Sequence, residues 1–327
     1  MNIFVSAKLS PEAMNTLYSR ANVIEGGWGA TGKKLTPAEL VEQASGCEIM
    51  IICYEEINDY VLSSLPMLRL VACTRGGAEN IDREAVRRHP SVLVTNAPGR
   101  NANAVAEFTI GLILAAARHI PRTHRFIMNR DWARVPWDVK GSAPKKTFEG
   151  FELEGKILGL IGFGSIGRIV ARLARAFGMS VKVYDPYLSA KDAGDGVELT
   201  NLDNLLANSD VISLHAKVTD ETKDMINTAV FRKMKAEAIF VNTARGVLVN
   251  EKDLYEALQN NVIACAALDV QVQEPMEYGS PLLELDNIIL TPHIGGATGD
   301  ILFQQSKIVM EDVLGYLEEG RPIHVLK

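Results

Sequence analysis

The sequence predicts an α/β protein with doubly wound parallel sheets in two domains. Short apolar runs alternate with amphipathic segments along almost the whole chain, which is typical of β-α-β units. With 327 residues, the chain exceeds the roughly 250–300 residues at which single cores stop growing. It is 47% hydrophobic and 23% charged, as ordinary globular proteins are, so it can bury a substantial core.

The charge balance argues against two classes of partner. The formal net charge is -6 and the pI is about 5.6, so no excess of Lys and Arg is available to neutralise nucleic acid or an anionic membrane. Residues 1–10 lack a basic segment followed by an apolar one, and the longest apolar helical stretch, near 110–117, is too short for a bilayer. We therefore expect a cytoplasmic protein without nucleic-acid or membrane partners.

The cysteines lie inside or beside apolar runs, without CxxC spacing or a nearby His pair. They are Cys47, Cys53, Cys73 and Cys265. This placement favours buried free thiols over a metal site or a disulfide framework, and we expect no metal.

The first hundred residues contain four predicted strands, at 3–6, 49–53, 68–74 and 92–95. Ser10 and Thr36 each precede a Pro, which predicts helices with a capping residue and Pro at the first helical position. Glu39 completes a capping box with Thr36. An apolar helix is predicted over 102–119. Residues 131–150, with two Trp, two Pro and several Lys, predict a loop excursion.

Six further strands are predicted, at 157–161, 181–184, 211–214, 239–241, 265–268 and 288–290. Six strands with crossovers match a doubly wound dinucleotide-binding fold. A last helix, over 299–320, should return to the first domain because only a short tail follows it. The expected domains are therefore 1–102 with 296–327, and 103–295 as a central insertion.

A glycine-rich segment, Gly162-Phe163-Gly164-Ser165-Ile166-Gly167, follows a predicted strand and opens a helix. The glycines would permit a tight turn, close approach of a pyrophosphate, and close packing of helix and strand. Such a segment also occurs as a simple packing turn. Asp185 ends the next strand, close to the ~20 residues expected of a ribose-binding acid. It favours NAD over NADP by repelling a 2′-phosphate; alternatively, it only starts the Asp185-Pro186 turn.

Polar residues gather at the carboxyl ends of the later strands, where open parallel sheets bind their ligands. His215 ends the third strand, Asn242-Thr243-Ala244-Arg245 the fourth, Asp269 the fifth and Thr291-Pro292-His293 the sixth; Glu274 follows in the loop after Asp269. We expect these residues to share one sheet edge with the glycine-rich segment.

Arg245, Glu274 and His293 together would make a coherent hydride-transfer site. A guanidinium can bind a carboxylate by paired hydrogen bonds and polarise the adjacent carbonyl, which suits Arg245. Histidine exchanges protons near neutral pH, so His293 would be the acid/base and Glu274 its orienting partner. Each has an ordinary alternative: a surface pair for Arg245, a solvated loop acid for Glu274, and a strand-end histidine for His293.

In the first domain, the segment Thr74-Arg75-Gly76-Gly77-Ala78 follows a strand. Consecutive amides in such a turn can form an anion pocket for a substrate carboxylate, although an ordinary strand-to-helix turn fits equally well. Arg75 has the reach to contact a distal phosphate, carboxylate or hydroxyl, or it pairs with Glu79. Glu55 and Glu56 would repel a phosphate. Together these residues favour a hydroxylated sugar acid, phosphorylated or not.

The chain resembles the D-isomer-specific 2-hydroxyacid dehydrogenases over essentially its whole length. The shared motifs are Gly162 to Gly167 with Asp185, Asn242-Thr243-Ala244-Arg245-Gly246, Leu268-Asp269-Val270 with Glu274-Pro275, and Thr291-Pro292-His293-Ile294-Gly295-Gly296. Asn96-Ala97-Pro98-Gly99 and Val105-Ala106-Glu107 are also similar. The resemblance implies a Rossmann domain that binds NAD, inserted into a flavodoxin-like α/β domain that binds the substrate.

The same resemblance implies roles for single residues. Catalysis would belong to Arg245, Glu274 and His293, and Gly76 and Gly77 would offer amides to a 2-hydroxy or 2-oxo acid. The expected cofactor contacts are Gly162, Gly164, Ser165, Ile166, Gly167, Asp185, His215, Thr243, Ala244 and Asp269. A homodimer built through the NAD domain is also implied.

Two departures from the family pattern limit the resemblance. Lys217 stands where the family often has Pro, which bears on the cofactor contact near His215 and on the choice between NAD and NADP. Tyr54-Glu55-Glu56 replaces the Arg-Ser common in phosphoglycerate dehydrogenases. Two other functions fit the same sequence: formate oxidation, which needs no proton exchange at His293, and an NADH-sensing scaffold without turnover.

Overall fold

The computed structural model describes residues 1–131 and 148–326, so nearly all of the predicted excursion at 131–150 lies outside the described residues. The chain divides into two compact units. The first combines Met1–Asn101 with Thr298–Lys327, and the second comprises Ala102–Ala297.

The first unit contains a five-stranded parallel sheet in the order β2-β1-β3-β4-β5, which is the flavodoxin-like order. Its strands are β1 (Asn2–Val5), β2 (Asn22–Glu25), β3 (Ile49–Ile52), β4 (Leu70–Cys73) and β5 (Leu93–Thr95). Its helices are α1 (Pro11–Arg20), α2 (Gly27–Thr31), α3 (Pro37–Gln43), α4 (Asp59–Ser64), α5 (Arg83–Arg88) and, at the end of the chain, α13 (Ile301–Glu319).

Apolar layers cover both faces of this sheet. Side chains of α3, α4 and α5 pack on one face, and those of α1 and α13 pack on the other. The two predicted helix starts are confirmed, since the Ser10 hydroxyl accepts the Ala13 N–H and Thr36 forms a complete capping box with Glu39. The sheet is therefore buried on both sides, and its functional loops lie at the carboxyl ends of the strands.

The second unit contains a seven-stranded parallel sheet in the order β12-β11-β10-β9-β6-β7-β8. Counted from its own first strand, this is the Rossmann order with one more strand at the edge. The strands are β6 (Ile157–Ile161), β7 (Ser180–Tyr184), β8 (Glu198–Leu199), β9 (Val211–Leu214), β10 (Ile239–Asn242), β11 (Cys265–Leu268) and β12 (Ile288–Leu290). The helices are α6 (Ala102–Ala117), α7 (Ile120–Met128), α8 (Ser165–Ala176), α9 (Ala190–Ala193), α10 (Leu202–Asn208), α11 (Thr228–Phe231) and α12 (Glu251–Gln259).

The predicted fold class is confirmed, but three details of the prediction were wrong. Strands β2 and β8 were missed; both lie at sheet edges. The helix predicted over 102–119 ends at Ala117, because His119 takes a left-handed conformation with φ 53° and α7 begins at Ile120. The predicted helix is therefore two residues too long, and the separate helix α7 was not predicted.

Two further observations concern membrane-spanning helices and cysteines. Across residues 1–131 and 148–326 there is no single helix of the length and apolar character needed to cross a membrane, and α6 with α7 meets that test only as a pair bent by 62°. The four cysteines are free; three are buried and Cys265 is partly buried, as predicted for structural thiols.

Candidate active site

The glycine-rich segment forms a turn between β6 and α8. Gly162 has φ +94°, and a Cβ there would lie 2.7 Å from the His215 backbone. A Cβ on Gly167 would lie 2.6 Å from the Gly162 carbonyl oxygen, whereas the space beside Gly164 is open. Gly164 is the N-cap of α8 and provides no side-chain cap, and Ser165 begins the helix in an exposed position. The helix N-terminus is thus accessible to an anion, while Ile166 packs into the core.

Asp185 lies at the end of β7 and contacts the glycine-rich turn directly. Its Oδ2 accepts the Phe163 N–H at 2.9 Å, and its Oδ1 accepts the Tyr187 N–H at 3.0 Å. Asp185 therefore does start the Asp185-Pro186 turn, which was the alternative to a ribose-binding role. A carboxylate has about four acceptor positions, so two remain for hydroxyl groups.

The loop after β10 is organised by the buried side chain of Asn242. Its amide donates to the Arg245 carbonyl at 3.0 Å and its Oδ1 accepts the Ala244 N–H at 3.0 Å. The Thr243 hydroxyl contacts that of Thr109 at 2.8 Å. Arg245 is exposed, with one guanidinium hydrogen bond to the Ala244 carbonyl at 2.7 Å. Its other guanidinium donors have no partner within the described ranges 1–131 and 148–326 and can bind a ligand.

Asp269 is buried at the end of β11 and fixes the turn that carries His293. Its carboxylate accepts the Thr291 hydroxyl at 2.6 Å and the N–H groups of Ile294 and Gly295 at 2.9 and 2.7 Å. The His293 N–H donates to the Asp269 carbonyl at 2.8 Å. These bonds hold His293 at φ +54°, a left-handed conformation that non-glycine residues adopt only when the surroundings impose it.

His293 and Glu274 form a close pair. The His293 Nδ1 lies 2.7 Å from Glu274 Oε2, and Glu274 Oε1 accepts the Gln271 N–H at 3.1 Å. The His293 side chain is 46% exposed and that of Glu274 is 35% exposed. Because Nδ1 faces the carboxylate, Nε2 is the ring nitrogen left to exchange a proton with a ligand.

The charges around Glu274 keep it ionised. Partial burial raises the pKa of Glu274, but the hydrogen bonds from His293 and the Gln271 N–H and the charges of His293 and Arg245 outweigh it. The net pKa of Glu274 is below its ordinary value. Arg245, Glu274 and His293 are therefore electrostatically connected at one edge of the sheet, as the strand-end positions predicted.

His215 follows β9 and lies half-buried beneath the glycine-rich turn. Its Nε2 contacts the Ser213 hydroxyl at 2.9 Å, and its buried Nδ1 has no hydrogen-bond partner in the described part of the chain. Burial lowers the pKa of His215 to about 4. The imidazole is therefore neutral at physiological pH.

In the first unit, the Arg75-Gly76-Gly77 turn follows β4. Two carbonyls of this turn accept hydrogen bonds from the segment after β5. The Asn96 amide donates to the Gly76 carbonyl at 2.7 Å, and the Ala97 N–H donates to the Arg75 carbonyl at 2.9 Å. Across residues 1–131 and 148–326, the Gly76 and Gly77 N–H groups have no partner. Arg75 does pair with Glu79, at 3.3 Å, and stacks on Tyr54 at 5.3 Å.

The interpretation of Glu55 as an acid that faces a ligand was wrong. Glu55 is completely buried, and its carboxylate accepts the N–H groups of Cys53, Tyr54 and Trp28 at 3.2, 3.2 and 3.3 Å. A buried carboxylate needs such donors. Glu56, in contrast, does line a pocket of about 550 Å³ in this unit.

Sequence reasoning missed several residues that position the site. Buried Gln271 donates to the Thr291 carbonyl at 3.3 Å, and Glu251 accepts the Val272 N–H at 2.8 Å. Thr109, on α6, supports Thr243. The available signal was a polar residue in an apolar run, as at Thr109 and Asn242, which indicates a buried hydrogen bond but not its partner.

Comparison with known proteins agrees with this geometry. Residues 110–295 match the model of the D-isomer specific 2-hydroxyacid dehydrogenase NAD binding domain. The chain belongs to this family. It is 36% identical over 280 residues to a glyoxylate reductase of Korarchaeum cryptofilum, covering 85% of this chain and 82% of that relative.

Two other relatives give the extent of the likeness. A D-3-phosphoglycerate dehydrogenase of Archaeoglobus fulgidus is 37% identical over 325 residues, which are 99% of this chain but 58% of that relative. The chain thus spans little more than half the length of the phosphoglycerate dehydrogenases it matches first. The NAD-complexed D-isomer specific 2-hydroxyacid dehydrogenase of Lactobacillus delbrueckii ssp. bulgaricus superposes with a TM-score of 0.82 at 25% identity, covering 100% of this chain and 99% of that structure.

Proposed function

We propose that this family member interconverts a D-2-hydroxy acid and its 2-oxo acid by NAD-dependent hydride transfer, with a polar or phosphorylated sugar-acid substrate. The observation that supports this most directly is the Glu274–His293 pair at 2.7 Å, with Arg245 close enough to lower the pKa of Glu274. A scaffold that only binds a dinucleotide has no use for a proton-exchanging pair beside a carboxylate-binding cation.

The roles of these residues follow from their hydrogen bonds. The guanidinium of Arg245 binds the substrate carboxylate and polarises the adjacent carbonyl. The imidazole of His293 gives a proton to the carbonyl oxygen from Nε2 during reduction and takes it back during oxidation. Glu274 holds the ring by Nδ1 and stabilises its charged form. Within the first unit, the N–H groups of Gly76 and Gly77, which have no partner among residues 1–131 and 148–326, are available to bind an anion such as a carboxylate.

The residues of the second unit fit NAD. The open side of Gly164 and the uncapped N-terminus of α8 suit a pyrophosphate, and the remaining acceptors of Asp185 suit ribose hydroxyls. NAD, when bound, accepts or supplies the hydride. Asp185 repels a 2′-phosphate, whereas the exposed cation of Lys217 is the feature that would attract one. His215 and Asp269 support the backbone of this site, and Thr243 and Ala244 lie in the same loop as Arg245.

We also propose a homodimer that involves α7. This helix has no buried residue, yet Ile120 and Ile127 lie on one helical face and are 53% and 44% exposed. Met128 beside them is 67% exposed. Apolar side chains grouped in this way favour a second protein surface over water.

The function is tested by turnover with NADH and a panel of 2-oxo acids, together with direct NADH titration. His293→Asn should lower reduction by at least ~10²-fold, as loss of a general acid does, while NADH binding is retained. Asn is chosen because it tolerates the left-handed backbone at this position. NADH binding without turnover of any 2-oxo acid would support the scaffold instead, and wild-type turnover in His293→Asn would remove His293 from the mechanism.

A further inference from the structure

The first unit contains a pocket of about 550 Å³ beside the Arg75-Gly76-Gly77 turn. Two aromatic rings line it, those of Trp28 and Tyr54, along with the cations of Lys34 and Arg75 and the carboxylates of Glu56 and Glu79. The two cations and the two carboxylates cancel in formal charge. A pocket with no net charge provides little attraction for a phosphate or a second carboxylate.

The carboxylate of Glu55 positions the two aromatic residues of this pocket, Trp28 and Tyr54. The buried carboxylate binds the backbone N–H groups of both Trp28 and Tyr54, and the two rings meet edge to face with centroids 4.9 Å apart. Gly27 is required there, because it has φ +54° and a Cβ would lie 2.9 Å from Glu55 Oε1. The rings therefore form a preorganised surface for the C–H faces of a ligand.

Arg75 is fixed between Tyr54 and Glu79, and this limits what it can recognise. Its guanidinium lies 5.3 Å from the Tyr54 ring centroid and 3.3 Å from Glu79 Oε2. Glu79 offsets most of the field that Arg75 would exert on an anion, but N–H donors remain on the guanidinium. Donors next to carboxylate acceptors match hydroxyl groups, which both donate and accept.

We propose that this pocket binds the tail of the substrate and that the tail is an uncharged, polyhydroxylated chain. The volume of about 550 Å³ lies within the range of roughly 300–1,000 Å³ typical of small-molecule pockets, so it can hold such a tail. The carboxyl end would lie at the Gly76–Gly77 turn, directly following Arg75 in the chain. This proposal rests on the dehydrogenase function above and narrows it, because it excludes a phosphorylated tail and assigns Glu79 the role of excluding it.

The test compares matched substrates. The wild-type kcat/KM for 2-keto-D-gluconate should exceed that for its 6-phosphate, and that for 2-oxoisocaproate, by at least tenfold. In Glu79→Gln the charge of Arg75 is no longer offset, so the preference for the unphosphorylated acid should fall by roughly five- to tenfold. Glu84→Gln, which removes an exposed partner of Arg87 outside the pocket, is the matched control and should leave the preference unchanged.

A second variant tests the aromatic surface. Tyr54→Ala should lower the ratio of kcat/KM for 2-keto-D-gluconate to that for glyoxylate, which has no tail, by at least ~10-fold. Tyr60→Ala removes an exposed ring from α4 and should leave that ratio unchanged. A wild-type preference for the phosphorylated or the aliphatic acid, or unaltered ratios in both pocket variants, would overturn the proposal.

Direct binding separates failure of the pocket from failure of the enzyme. D-Gluconate should bind the wild-type protein in isothermal titration and bind Tyr54→Ala at least tenfold more weakly. If no 2-oxo acid is turned over but this difference appears, the dehydrogenase function fails and the pocket stands. If glyoxylate is reduced but D-gluconate binds both proteins equally or not at all, the pocket proposal fails alone.

Discussion

The Glu274–His293 pair combines a short hydrogen bond with side chains that solvent still reaches. Main-chain groups position both partners, since the Gln271 N–H donates to the Glu274 carboxylate and the Asp269 carboxylate accepts the Ile294 N–H in the turn of His293. A geometry defined by the main chain allows substitutions that change charge without changing shape. The charge of Glu274 can therefore be tested apart from its position.

We predict that Glu274→Gln lowers kcat by at least ~10²-fold. The amide oxygen can still accept from Nδ1 if the NH2 group takes the place of Oε1, which gives up the bond from the Gln271 N–H, but the neutral amide no longer stabilises a charged imidazole. The KM for the 2-oxo acid should stay within about threefold, since Arg245 is unchanged. Steady-state kinetics with NADH measures both. Glu277→Gln removes an exposed acid in the same loop and is the control; equal kcat in the two variants would contradict the role of Glu274.

A second residue-scale prediction concerns the cofactor. Asp185→Asn should raise the ratio of kcat/KM with NADPH to that with NADH by at least tenfold, because the repulsion of a 2′-phosphate is lost. The variant also weakens the bond to Phe163, but that loss acts on both cofactors and cancels in the ratio. Equal efficiency of the native enzyme with the two cofactors would show that Asp185 does not select NAD.

At the residue scale, the sequence predicts the reactive side chains more reliably than the side chains that position them. Arg245, Glu274 and His293 follow from the rule that ligands bind at strand carboxyl ends. Gln271 does not follow, because its hydrogen bond to Thr291 depends on a loop approach that no local pattern encodes. Glu55 was misread for the same reason: the donors that bury it include Trp28, which is distant in sequence.

At the element scale, Gly246 determines how the loop after β10 meets the loop that carries Glu274. A Cβ on Gly246 would overlap the backbone of Gln271, and backbone atoms cannot move aside as a side chain can. Gly246→Ala should therefore destabilise the protein by about 1–3 kcal/mol, as overpacking does. It should also lower kcat/KM at least tenfold by displacing the Glu274 loop.

Thermal unfolding and kinetics of Gly246→Ala are compared with those of Gly279→Ala. Gly279 lies further along the same loop, with open space where a Cβ would be. That variant should show wild-type stability and activity. If Gly246→Ala had the same stability and activity as Gly279→Ala, the two loops would not pack as described.

Strands formed by apolar runs are predictable even at a sheet edge, where β5 and β12 lie, whereas the edge strands β2 and β8 are not. β3 and β4 are fully buried apolar runs, and β9 and β10 are fully buried with one polar residue each, a pattern that the alternation with helices identifies. β2 carries Asn and Glu at its exposed ends and β8 has only two residues. Their pairing depends on a neighbouring strand rather than on their own sequence.

At the scale of the whole molecule, the exposed apolar face of α7 predicts the assembly. The wild-type protein should have twice the 35.8 kDa mass of one chain in light scattering after size exclusion. Ile127→Glu should shift it toward the monomer, because a charge would be buried against an apolar surface. Ile323→Glu, an exposed isoleucine in the first unit, should leave the mass unchanged; a monomeric wild type would contradict the dimer.

The stability of the molecule in mild acid should depend on His215. Because burial holds its folded pKa at about 4 against about 6.5 when unfolded, the unfolded chain binds the extra proton between these values. The stabilisation is complete above pH 6.5 and is lost as pH falls toward 4, by about 2 kcal/mol between pH 7 and pH 5. The lowered pKa values of Glu274 and Asp210 act below their ordinary 4.5 and 3.8, which is below the range from pH 7 to pH 5 used for the measurement. Urea unfolding of the wild type and of His215→Gln at both pH values measures the difference. The His215→Gln protein should lose much less stability than the wild type over this range, and equal losses in the two proteins would show that the imidazole of His215 is not what makes the fold acid-sensitive.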